Sequence, residues 1–588
     1  MKWNSRTRCV YVCLGFALLF SVFSFRLVYL QMVMSGPLTD LAAEKHGRRQ
    51  AIPAHRGAIL DANREVLAHN IPGELVYADA SRISRLDDLV PVLAEHLELP
   101  AAEITQKLQR NSRYIVLKRQ LPQPAAVALR EKLHTEKLRA GIGFDADPAR
   151  IYPNGSMLCH VLGFTDFERR GIQGVEMSME QYLHGQDGFR FIEHDRRGQE
   201  ITAYRGVERP ARDGHQVQLT VDLNLQHIVE QEIDAAMSEF RPEKATIILM
   251  RPDGEILAMA NRPHFDLNKR GTAKPEQMKN RAIIDIMEPG STFKIVPAAA
   301  ALNEQKVRPE TTIFCENGLW NYGGRSLRDA HGYGVLSVQE ILIKSSNIGA
   351  AKLAMGIGEQ KFYEYIRRFG FGQRTGVELP GEERGIANPP QSWSKISITR
   401  IPMGHEIAVT PLQMTTAMAV IANGGKLVTP RIIKSITDAE GRQIADAAPT
   451  ELRQVVSSEV AAQVSAALKD VVSERGTARL AAVPFFAVAG KTGTAQKVRE
   501  GGRGYEAGKY VVSFAGYMPA DRPAIVGIVV LDDAKSSTVS NYGGTIAAPI
   551  FARVAERAAG YLDLERHEEP RKAVPVGKVA LTTKTSRR

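Results

Sequence analysis

Three short motifs that lie far apart in the sequence constrain the fold of this chain more than any other feature. Ser291 and Lys294 form the first motif, the Ser-Ser-Asn of residues 345–347 forms the second, and the Lys-Thr-Gly-Thr of residues 491–494 forms the third. Their residue types suit acyl transfer, which needs an activated hydroxyl, a proton relay and a strand that holds an extended substrate. The motifs act together only if the fold brings these distant segments to one place.

The first motif pairs a nucleophile with a base. Side chains three residues apart lie on one face of a helix, so Ser291 and Lys294 are within reach of each other. A serine hydroxyl is a weak nucleophile, and a lysine activates it only when the lysine pKa falls well below about 10.4. Burial and a neighbouring cation both lower a lysine pKa. We expect Lys491 to be that cation.

Each motif alone is weak evidence. A serine and a lysine three residues apart occur on many solvated helices, and a Ser-Ser-Asn cluster alone is typical of a turn. Lys491 and Thr492 after Gly490 resemble part of a phosphate-binding loop, but that loop requires a glycine where this sequence has Phe485. The nucleotide interpretation therefore fails, and the combination of three motifs in this order carries the argument.

The N-terminus predicts a membrane anchor. Residues 9–25 contain no charged side chain and a further apolar stretch follows Arg26, which together are long enough to span a bilayer. Lys2, Arg6 and Arg8 precede the run, so the positive-inside rule places the N-terminus in the cytoplasm and the rest of the chain outside. A cleaved signal peptide is the alternative, but the apolar run exceeds the usual core and no clear cleavage site follows. We favour an uncleaved anchor.

The composition limits the classes of binding partner and cofactor that this chain is expected to have. The net charge of +11 would suit nucleic acid, but no basic helix, zinc spacing or aromatic-plus-basic platform accompanies it. Anionic lipid and wall polymers are therefore the expected partners. Cys159 and Cys315 fall in different predicted domains, so a disulfide between them is not favoured. No cluster of His, Cys and carboxylate residues has metal-ligand spacing, and we expect neither a metal nor another cofactor.

Several further segments, together with the three motifs, resemble the class B penicillin-binding proteins. These segments are residues 56–61, 150–155, 171–176 and 195–198. The resemblance implies an α+β fold in which an antiparallel sheet with helices on both faces forms the transpeptidase domain, on an elongated mixed α/β pedestal. The implied order is a cytoplasmic tail and transmembrane anchor (1–34), the pedestal (35–215), the transpeptidase domain (216–562) and a basic disordered tail (563–588).

The resemblance also assigns a role to each motif residue. It makes Ser291 the acylated nucleophile and Lys294 its base, and it makes Ser345 the relay that passes a proton to the departing amine. The amide of the substrate would bind Asn347. The third motif would supply an electrostatic anchor in Lys491, a carboxylate-binding hydroxyl in Thr492, an unobstructed backbone at Gly493 and, with Ser291, an oxyanion-binding N–H at Thr494.

The activity implied is that of a peptidoglycan D,D-transpeptidase, which cross-links stem peptides and is acylated by β-lactams, within a class that also contains hydrolases of the carboxypeptidase type. Glu288 opens a Glu-Pro-Gly-Ser-Thr sequence that resembles the division-specific members. Elongation members more often have Pro-Pro-Gly-Ser, and they remain the alternative. The resemblance implies a cell inner membrane location with the catalytic domain in the periplasm. It also implies partnership with a polytopic glycosyltransferase and other division proteins of the membrane.

Two other functions compete with the transpeptidase interpretation. A class A β-lactamase would need a Glu-x-x-Leu-Asn sequence between the second and third motifs, and none occurs there. A non-catalytic sensor or scaffold that binds β-lactam or stem peptide is the rival of a different class.

The glycine-rich residues 501–504 predict a mobile loop beside the site. Tyr505 or Tyr542 would stack on bound ligand there, or would simply be surface aromatics.

Overall fold

A computed structural model of the chain describes residues 4–36, 47–110, 112–193, 208–499 and 504–566. The sequence segment 195–198, residues 501–503 of the glycine-rich loop and nearly all of the predicted tail lie outside the described residues. The predicted domain boundaries at 34, 215 and 562 stay predictions.

The N-terminal segment is one long apolar helix. The α-helix Ser5–Val28 continues as the π-helical turn Tyr29–Val33. Within the 29 residues from Ser5 to Val33, the most apolar stretch of 18 residues has a mean hydropathy of 2.0, and none of that stretch is buried against protein. At 1.5 Å per residue the helix is about 40 Å long, more than the hydrocarbon thickness of about 30 Å. Its length and composition are those of a single-pass membrane anchor.

The described chain forms two compact units, and each is assembled from separated segments. The first unit comprises Met1–His55, Pro72–Ala149 and Gly185–Gly214. It contains two small antiparallel sheets of three strands each. The first has the strand order Gly47–Ile52, Gly188–Glu193, Glu208–Arg209. The second has the strand order Ile115–Pro122, Gly73–Ala78, Ile142–Ala146. Its helices after the anchor are Ala80–Arg82 (3₁₀), Leu86–Leu97, Ala101–Leu108 and Gln123–Thr135.

The helix Leu86–Leu97 shows how the sequence builds the small core of this unit. Asp87 and Asp88 in its first turn favour the positive end of the helix dipole. Leu89, Leu93 and Leu97 recur at helical spacing and are all nearly inaccessible to solvent. The apolar periodicity of this stretch therefore accounts for both the helix and its buried face.

The second unit comprises Arg56–Ile71, Arg150–His184 and His215–Arg588. One of its sheets has six strands in the order Gln443–Asp446, Ile433–Thr437, Gln216–Leu219, Ile59–Leu60, Val66–Ile71, Ala149–Ile151. Three short two-stranded pairings join Thr312–Phe314 to Val335–Ser337, Leu319–Tyr322 to Arg325–Arg328, and Lys426–Val428 to Glu451–Gln454.

A five-stranded antiparallel sheet is the centre of the second unit. Its strands are β1 (Lys244–Met250), β2 (Ile256–Arg262), β3 (Ala489–Val498), β4 (Tyr505–Met518) and β5 (Ile525–Asp532), in the spatial order β2-β1-β5-β4-β3. β1 and β2 come early in the sequence and the other three strands come late, so a long, mainly helical segment is inserted between β2 and β3. This agrees with the antiparallel sheet predicted from the sequence.

Helices cover both faces of this sheet. Leu223–Phe240 and Ala547–Tyr561 pack against each other and against one face, where the Phe551 and Phe514 ring centroids are 4.9 Å apart. Pro411–Ala422 packs on the other face. The remaining α-helices of the unit are Cys159–Leu162, Gly174–Ser178, Glu180–Leu183, Arg281–Ile284, Ile295–Asn303, Val338–Lys344, Asn347–Ile357, Glu359–Arg368, Ser397–Arg400 and Ser458–Val471. Its 3₁₀ turns are Leu267–Thr272, Pro275–Gln277, Gly290–Lys294, Glu316–Gly318, Pro390–Ser392, Ile401–Met403 and Arg479–Ala481.

Three of the sequence segments that precede the transpeptidase motifs meet in a buried ion cluster of the second unit. Glu176 accepts from Arg56 Nε at 2.5 Å and from Arg150 Nε at 2.7 Å, and the Tyr152 hydroxyl donates to it at 3.2 Å. Burial alone would raise the pKa of Glu176, but the charges and hydrogen bonds of Arg150 and Arg56 lower it. We call Arg56, Arg150 and Glu176 the arginine cluster.

Candidate active site

The nucleophile motif lies on a 3₁₀ turn, Gly290–Lys294, that leads into the α-helix Ile295–Asn303. With three residues per turn, side chains at positions i and i+3 of a 3₁₀ helix lie directly above one another, which places Ser291 and Lys294 on the same side. Pro297 is the third residue of the α-helix, where its missing N–H is one of four that have no helical partner. The sequence predicted a helix here, and the structure shows its tighter form.

Gly290 is needed for the close approach of this turn to the third motif. Its φ of +55° lies in the left-handed region, which disfavours a side chain. A Cβ at this position would lie 3.1 Å from the carbonyl oxygen of Thr494. The backbone on either side of Ser291 is thereby held against strand β3.

Lys294 is almost completely buried, with 1% of its surface exposed. Its Nζ lies 2.5 Å from the backbone oxygen of Ser345, 2.7 Å from Asn347 Oδ1 and 3.1 Å from Ser345 Oγ. Burial lowers the Lys294 pKa well below its usual range, and the charge of Lys491 lowers it further. A neutral amine has two N–H groups and a lone pair. The two carbonyl-type oxygens use the N–H groups, which leaves the lone pair to accept a hydroxyl proton.

The second motif sits at a junction between two helices. Val338–Lys344 ends at Ser345, whose φ of +59° is left-handed and costs of order 1–3 kcal/mol for a residue other than glycine. Asn347–Ile357 begins directly afterwards, and Ser346 caps it by accepting from the Gly349 N–H at 2.9 Å. This strained junction directs both the backbone oxygen and the hydroxyl of Ser345 toward Lys294.

Lys491 approaches the same hydroxyl from strand β3. It is completely buried, and its Nζ donates to Ser345 Oγ at 2.9 Å. Burial lowers the pKa of Lys491 to about 7. Ser345 Oγ therefore lies between two lysines, and a hydroxyl in that position can accept a proton from one and pass a proton to the other. We call Lys294, Ser345 and Lys491 the lysine cluster.

The other residues of the third motif are also fixed by contacts. Thr492 is buried and its hydroxyl lies 3.1 Å from that of Thr477. Thr494 Oγ1 accepts from the Gly543 N–H at 3.1 Å. A Cβ on Gly493 would come within 2.3 Å of Ser513 Oγ and 3.0 Å of Thr292 Cγ2, so only glycine fits between β4 and the nucleophile turn.

The structure brings the predicted residues of all three motifs together, with one qualification. Lys294, Ser345, Asn347 and Lys491 are joined by direct hydrogen bonds. Within the part of the chain that the structure describes, the hydroxyl of Ser291 has no hydrogen-bond partner, although it lies on the same turn as Lys294.

Sequence reasoning missed Asp329, which supports the second motif. Its carboxylate accepts from the Ser346 hydroxyl at 2.6 Å and from the backbone N–H groups of Asn347 and Ile348. A carboxylate at a helix N-terminus is stabilised by the helix dipole. Asp329 precedes this helix in a separate loop and follows no periodic pattern, so no signal in the sequence marked it.

Sequence reasoning also missed a polar cluster beside the nucleophile turn. The Tyr505 hydroxyl donates to both carboxylate oxygens of Glu288, at 3.3 and 3.1 Å, and His405 Nδ1 lies 3.0 Å from the same carboxylate. Burial and the Glu288 charge raise the pKa of Tyr505 above its usual range. His405 and Tyr505 thus hold the segment that ends at Ser291. Tyr542, by contrast, is 60% exposed.

Three features define the class of serine acyl-transferases that recognise penicillin: a turn that carries Ser291 and the buried Lys294, a second serine between two lysines, and a Lys-Thr-Gly strand at the edge of an antiparallel sheet. Comparison with known proteins makes the assignment specific. The penicillin-binding protein transpeptidase domain matches residues 245–556, and the penicillin-binding protein dimerisation domain matches residues 51–219. The chain belongs to the class B penicillin-binding proteins.

The similarity to individual members extends along nearly the whole chain. The stage V sporulation protein D of Bacillus subtilis is 34% identical over 555 residues, which cover 93% of this chain and 85% of that protein. The peptidoglycan D,D-transpeptidase FtsI of Escherichia coli is 30% identical, with 94% and 91% covered. Among solved structures, penicillin-binding protein 3 of Mycobacterium tuberculosis in complex with aztreonam is 28% identical, with a TM-score of 0.69 and coverage of 88% and 99%.

Proposed function

We propose that this chain is a peptidoglycan D,D-transpeptidase that cross-links stem peptides at the division septum. The observation that carries the proposal is the lysine cluster: two buried lysines with lowered pKa values share one serine hydroxyl, and one of the lysines lies on the same turn as Ser291. The names of the relatives, among them the D,D-transpeptidase of Escherichia coli, support the same activity.

In the first step, Ser291 Oγ attacks the carbonyl carbon of the penultimate D-alanine of a donor peptide. Lys294, as the free amine, takes the hydroxyl proton, and an ester bond to Ser291 forms. The bond to the terminal D-alanine breaks, and its nitrogen takes a proton from Ser345, which regains one from Lys294. The proton lost by Ser291 thus leaves with the amine, and both lysines return to their starting state.

In the second step, the free amine of a neighbouring stem peptide attacks the ester. An amide bond forms, the bond between the carbonyl carbon and Ser291 Oγ breaks, and one amine proton passes through Lys294 to that oxygen. The backbone N–H groups of Ser291 and Thr494 would stabilise the oxyanion of both steps. Removing one such donor typically costs about 3 kcal/mol in the barrier.

Strand β3 suits the donor peptide because it is the edge strand of the described sheet. An edge strand offers unpaired N–H and C=O groups to an extended peptide. Gly493 keeps that approach clear, Asn347 would bind the peptide amide, and Lys491 and Thr492 would bind the terminal carboxylate. The same groups would place a β-lactam for acylation of Ser291.

The septal role rests on the sequence before the nucleophile and on the relatives. Glu288 both opens the division-type Glu-Pro-Gly-Ser sequence and holds the loop through Tyr505. Basic residues ahead of the anchor favour a cytoplasmic N-terminus and a periplasmic transpeptidase domain at the inner membrane. A polytopic glycosyltransferase of the division complex would supply the strands. An elongation role is the second candidate, and hydrolysis of the acyl-enzyme by water would give carboxypeptidase activity.

The test is an intact-mass measurement of the full chain in detergent with benzylpenicillin. We expect one stable adduct, its loss in Ser291→Ala and its retention in Ser326→Ala, which removes an exposed hydroxyl elsewhere. No adduct with hydrolysed drug in solution would indicate a β-lactamase. No adduct with intact drug would refute the enzyme assignment in favour of a non-catalytic scaffold.

A further inference from the structure

A cavity of about 800 Å³ lies in the second unit beside the candidate active site. None of the eight predicted site residues lines it, so the mechanism above makes no use of it. It lies against β1, β3, β4 and β5 and against the segment 281–288 that leads to the nucleophile turn. Its volume is within the range of about 300–1,000 Å³ that is usual for ligand sites.

The cavity and the active site lie on the same face of β3. A side chain on Gly493 would point at Thr292 and Pro289 of the nucleophile turn. Residues two apart in a strand share a face, so Ala495 points the same way, and Ala495 lines the cavity. Glu288, three residues before Ser291, lines it from the opposite side.

The lining has a charged part and an apolar part. Five carboxylates and four basic side chains line the cavity, which gives it an excess of one negative charge. The carboxylates are Glu243, Asp285, Glu288, Glu506 and Asp532, and the basic residues are Lys244, Arg281, Lys497 and Lys509. Ile284, Ile286 and Ile386 form an apolar rim, and Ile286 and Ile386 are 43% and 45% exposed. A ligand that fits carries both ammonium and carboxylate groups on a partly apolar chain, as a short peptide does.

Several of the ion pairs in the lining can exchange partners at little cost. Asp285 pairs with the buried Arg281 at 2.9 Å and also with Lys244 at 3.3 Å, and the side chains of Asp285 and Lys244 are about a third exposed. Glu506 pairs with Lys509 at 2.9 Å with similar exposure. Pairs of this kind contribute about 0–1 kcal/mol, so a ligand ammonium can replace a lysine beside either carboxylate without a large loss.

We propose that this cavity binds the acceptor peptide, the second substrate whose amine takes the acyl group from Ser291. The inference rests on the proposed transpeptidase function and adds the binding site of its second substrate. The donor peptide occupies the edge of β3, so the acceptor must reach the ester from another side. The excess negative charge attracts the ammonium form of the acceptor amine, and Asp285 and Glu288 lie on the segment that leads to Ser291.

The test separates acylation from transfer in the full-length protein in detergent. The donor is a D-alanyl thioester, and the acceptor is Ala-Glu-Lys with its α-amine acetylated, so the lysine side chain is the reacting amine. Ile386→Trp narrows the cavity from its exposed rim, and Ile444→Trp, at an isoleucine 49% exposed on another sheet, is the matched control. Asp285→Asn removes a carboxylate of the lining. Its control is Asp253→Asn, which removes a carboxylate that pairs with the buried Arg431 outside the cavity.

We expect Ile386→Trp to raise the half-saturating acceptor concentration at least tenfold and Asp285→Asn to raise it about threefold. Acylation by a fluorescent penicillin should stay within twofold of wild type in all four variants, and both controls should transfer normally. An unchanged acceptor dependence in both cavity variants would overturn the inference. A parallel fall of acylation and transfer would also overturn it, since the cavity would then serve the donor. Absence of wild-type acylation would refute the proposed function itself.

Discussion

Two buried polar clusters in the second unit use charge in opposite ways. In the arginine cluster, each arginine donates to a carboxylate oxygen of Glu176, and the charged forms stabilise one another. In the lysine cluster, two lysine side chains approach one neutral hydroxyl, and the partners of Lys294 are the neutral oxygens of Ser345 and Asn347. Burial is similar in the two clusters, but the pairing is not.

The pKa values show what the difference means. Burial would lower the pKa of Arg56, but Glu176 and Glu180 raise it and keep the group charged. Nothing offsets burial for Lys491, whose pKa falls to about 7. A satisfied buried ion cluster holds a structure together, whereas buried lysines without a carboxylate partner are ready to exchange protons near neutral pH. The following predictions separate these two uses of buried charge.

Replacing the base should have the largest effect. Lys294→Met keeps the side-chain length but removes the lone pair, and we expect the second-order rate of acylation by a fluorescent penicillin to fall about 10³- to 10⁴-fold. The melting temperature should change less than it does in Glu176→Gln, because no opposite charge is left unpaired. Acylation within tenfold of wild type would show that Lys294 is not the base.

Breaking the arginine cluster should instead affect stability. Glu176→Gln leaves the buried Arg150 without its carboxylate and leaves Arg56 with Glu180 alone. It should cost about 3–5 kcal/mol, measured by denaturant unfolding. The lowered pKa of Glu176 means that its contribution is fully present above pH about 4.5 and is lost as the pH falls toward the folded-state pKa. Wild type and variant should therefore converge in acid.

The matched control for that prediction is Glu180→Gln, since Glu180 also pairs with Arg56 but is 32% exposed. It should cost much less. The folded fraction of Glu176→Gln should be acylated at the wild-type rate. A large loss of acylation per folded molecule would mean that the two clusters are coupled.

Removing the shared hydroxyl should lower acylation by about 10²- to 10³-fold. Ser345→Ala leaves Lys294 and Lys491 without the group that passes protons between them. Ser337→Ala, at the N-cap of the helix that ends at Ser345, is the control and should cost about 1 kcal/mol of stability with acylation nearly unchanged. Equal acylation in the two variants would exclude a relay role.

The pH dependence should reveal the charge of Lys491. Its lowered pKa of about 7 means that the ammonium is present below pH 7 and is lost above it. If the cation binds the ligand carboxylate, the second-order rate of acylation should fall up to tenfold per pH unit above about 7. Lys491→Arg stays charged and should remove this alkaline fall. A wild-type rate that keeps rising to pH 9 would contradict the prediction.

Loosening the loop before the nucleophile should have the smallest effect. Tyr505→Phe removes the hydroxyl that donates to Glu288, a loss of about 1 kcal/mol, so acylation should fall about threefold to tenfold. Tyr542→Phe alters an exposed tyrosine and should leave acylation unchanged. A larger effect at Tyr542 would assign the ligand contact to that residue instead.

Much of the fold could be predicted because its elements have local signals. The sequence is β-rich over 487–495, 510–517 and 524–531, which correspond to β3, β4 and β5. The pattern of residues 547–562 predicts a helix, which corresponds to Ala547–Tyr561. Boundaries shifted because strands extend as far as their neighbours pair, which β4 does well before residue 510. Asp329 and the contact of Glu288 with His405 and Tyr505 could not be predicted, since they join segments with no shared pattern.

The sequence by itself determined the chemistry: the serine, the lysines and the Lys-Thr-Gly strand identify the class, and the apolar N-terminal run predicts the anchor. Only the tertiary structure decided how that chemistry is tuned. Burial lowers the pKa of both Lys294 and Lys491, and the charge of Lys491 lowers the pKa of Lys294 further, neither of which residue order encodes. The left-handed backbone of Ser345 likewise exists because two helices end and begin there, and it directs the hydroxyl between the lysines.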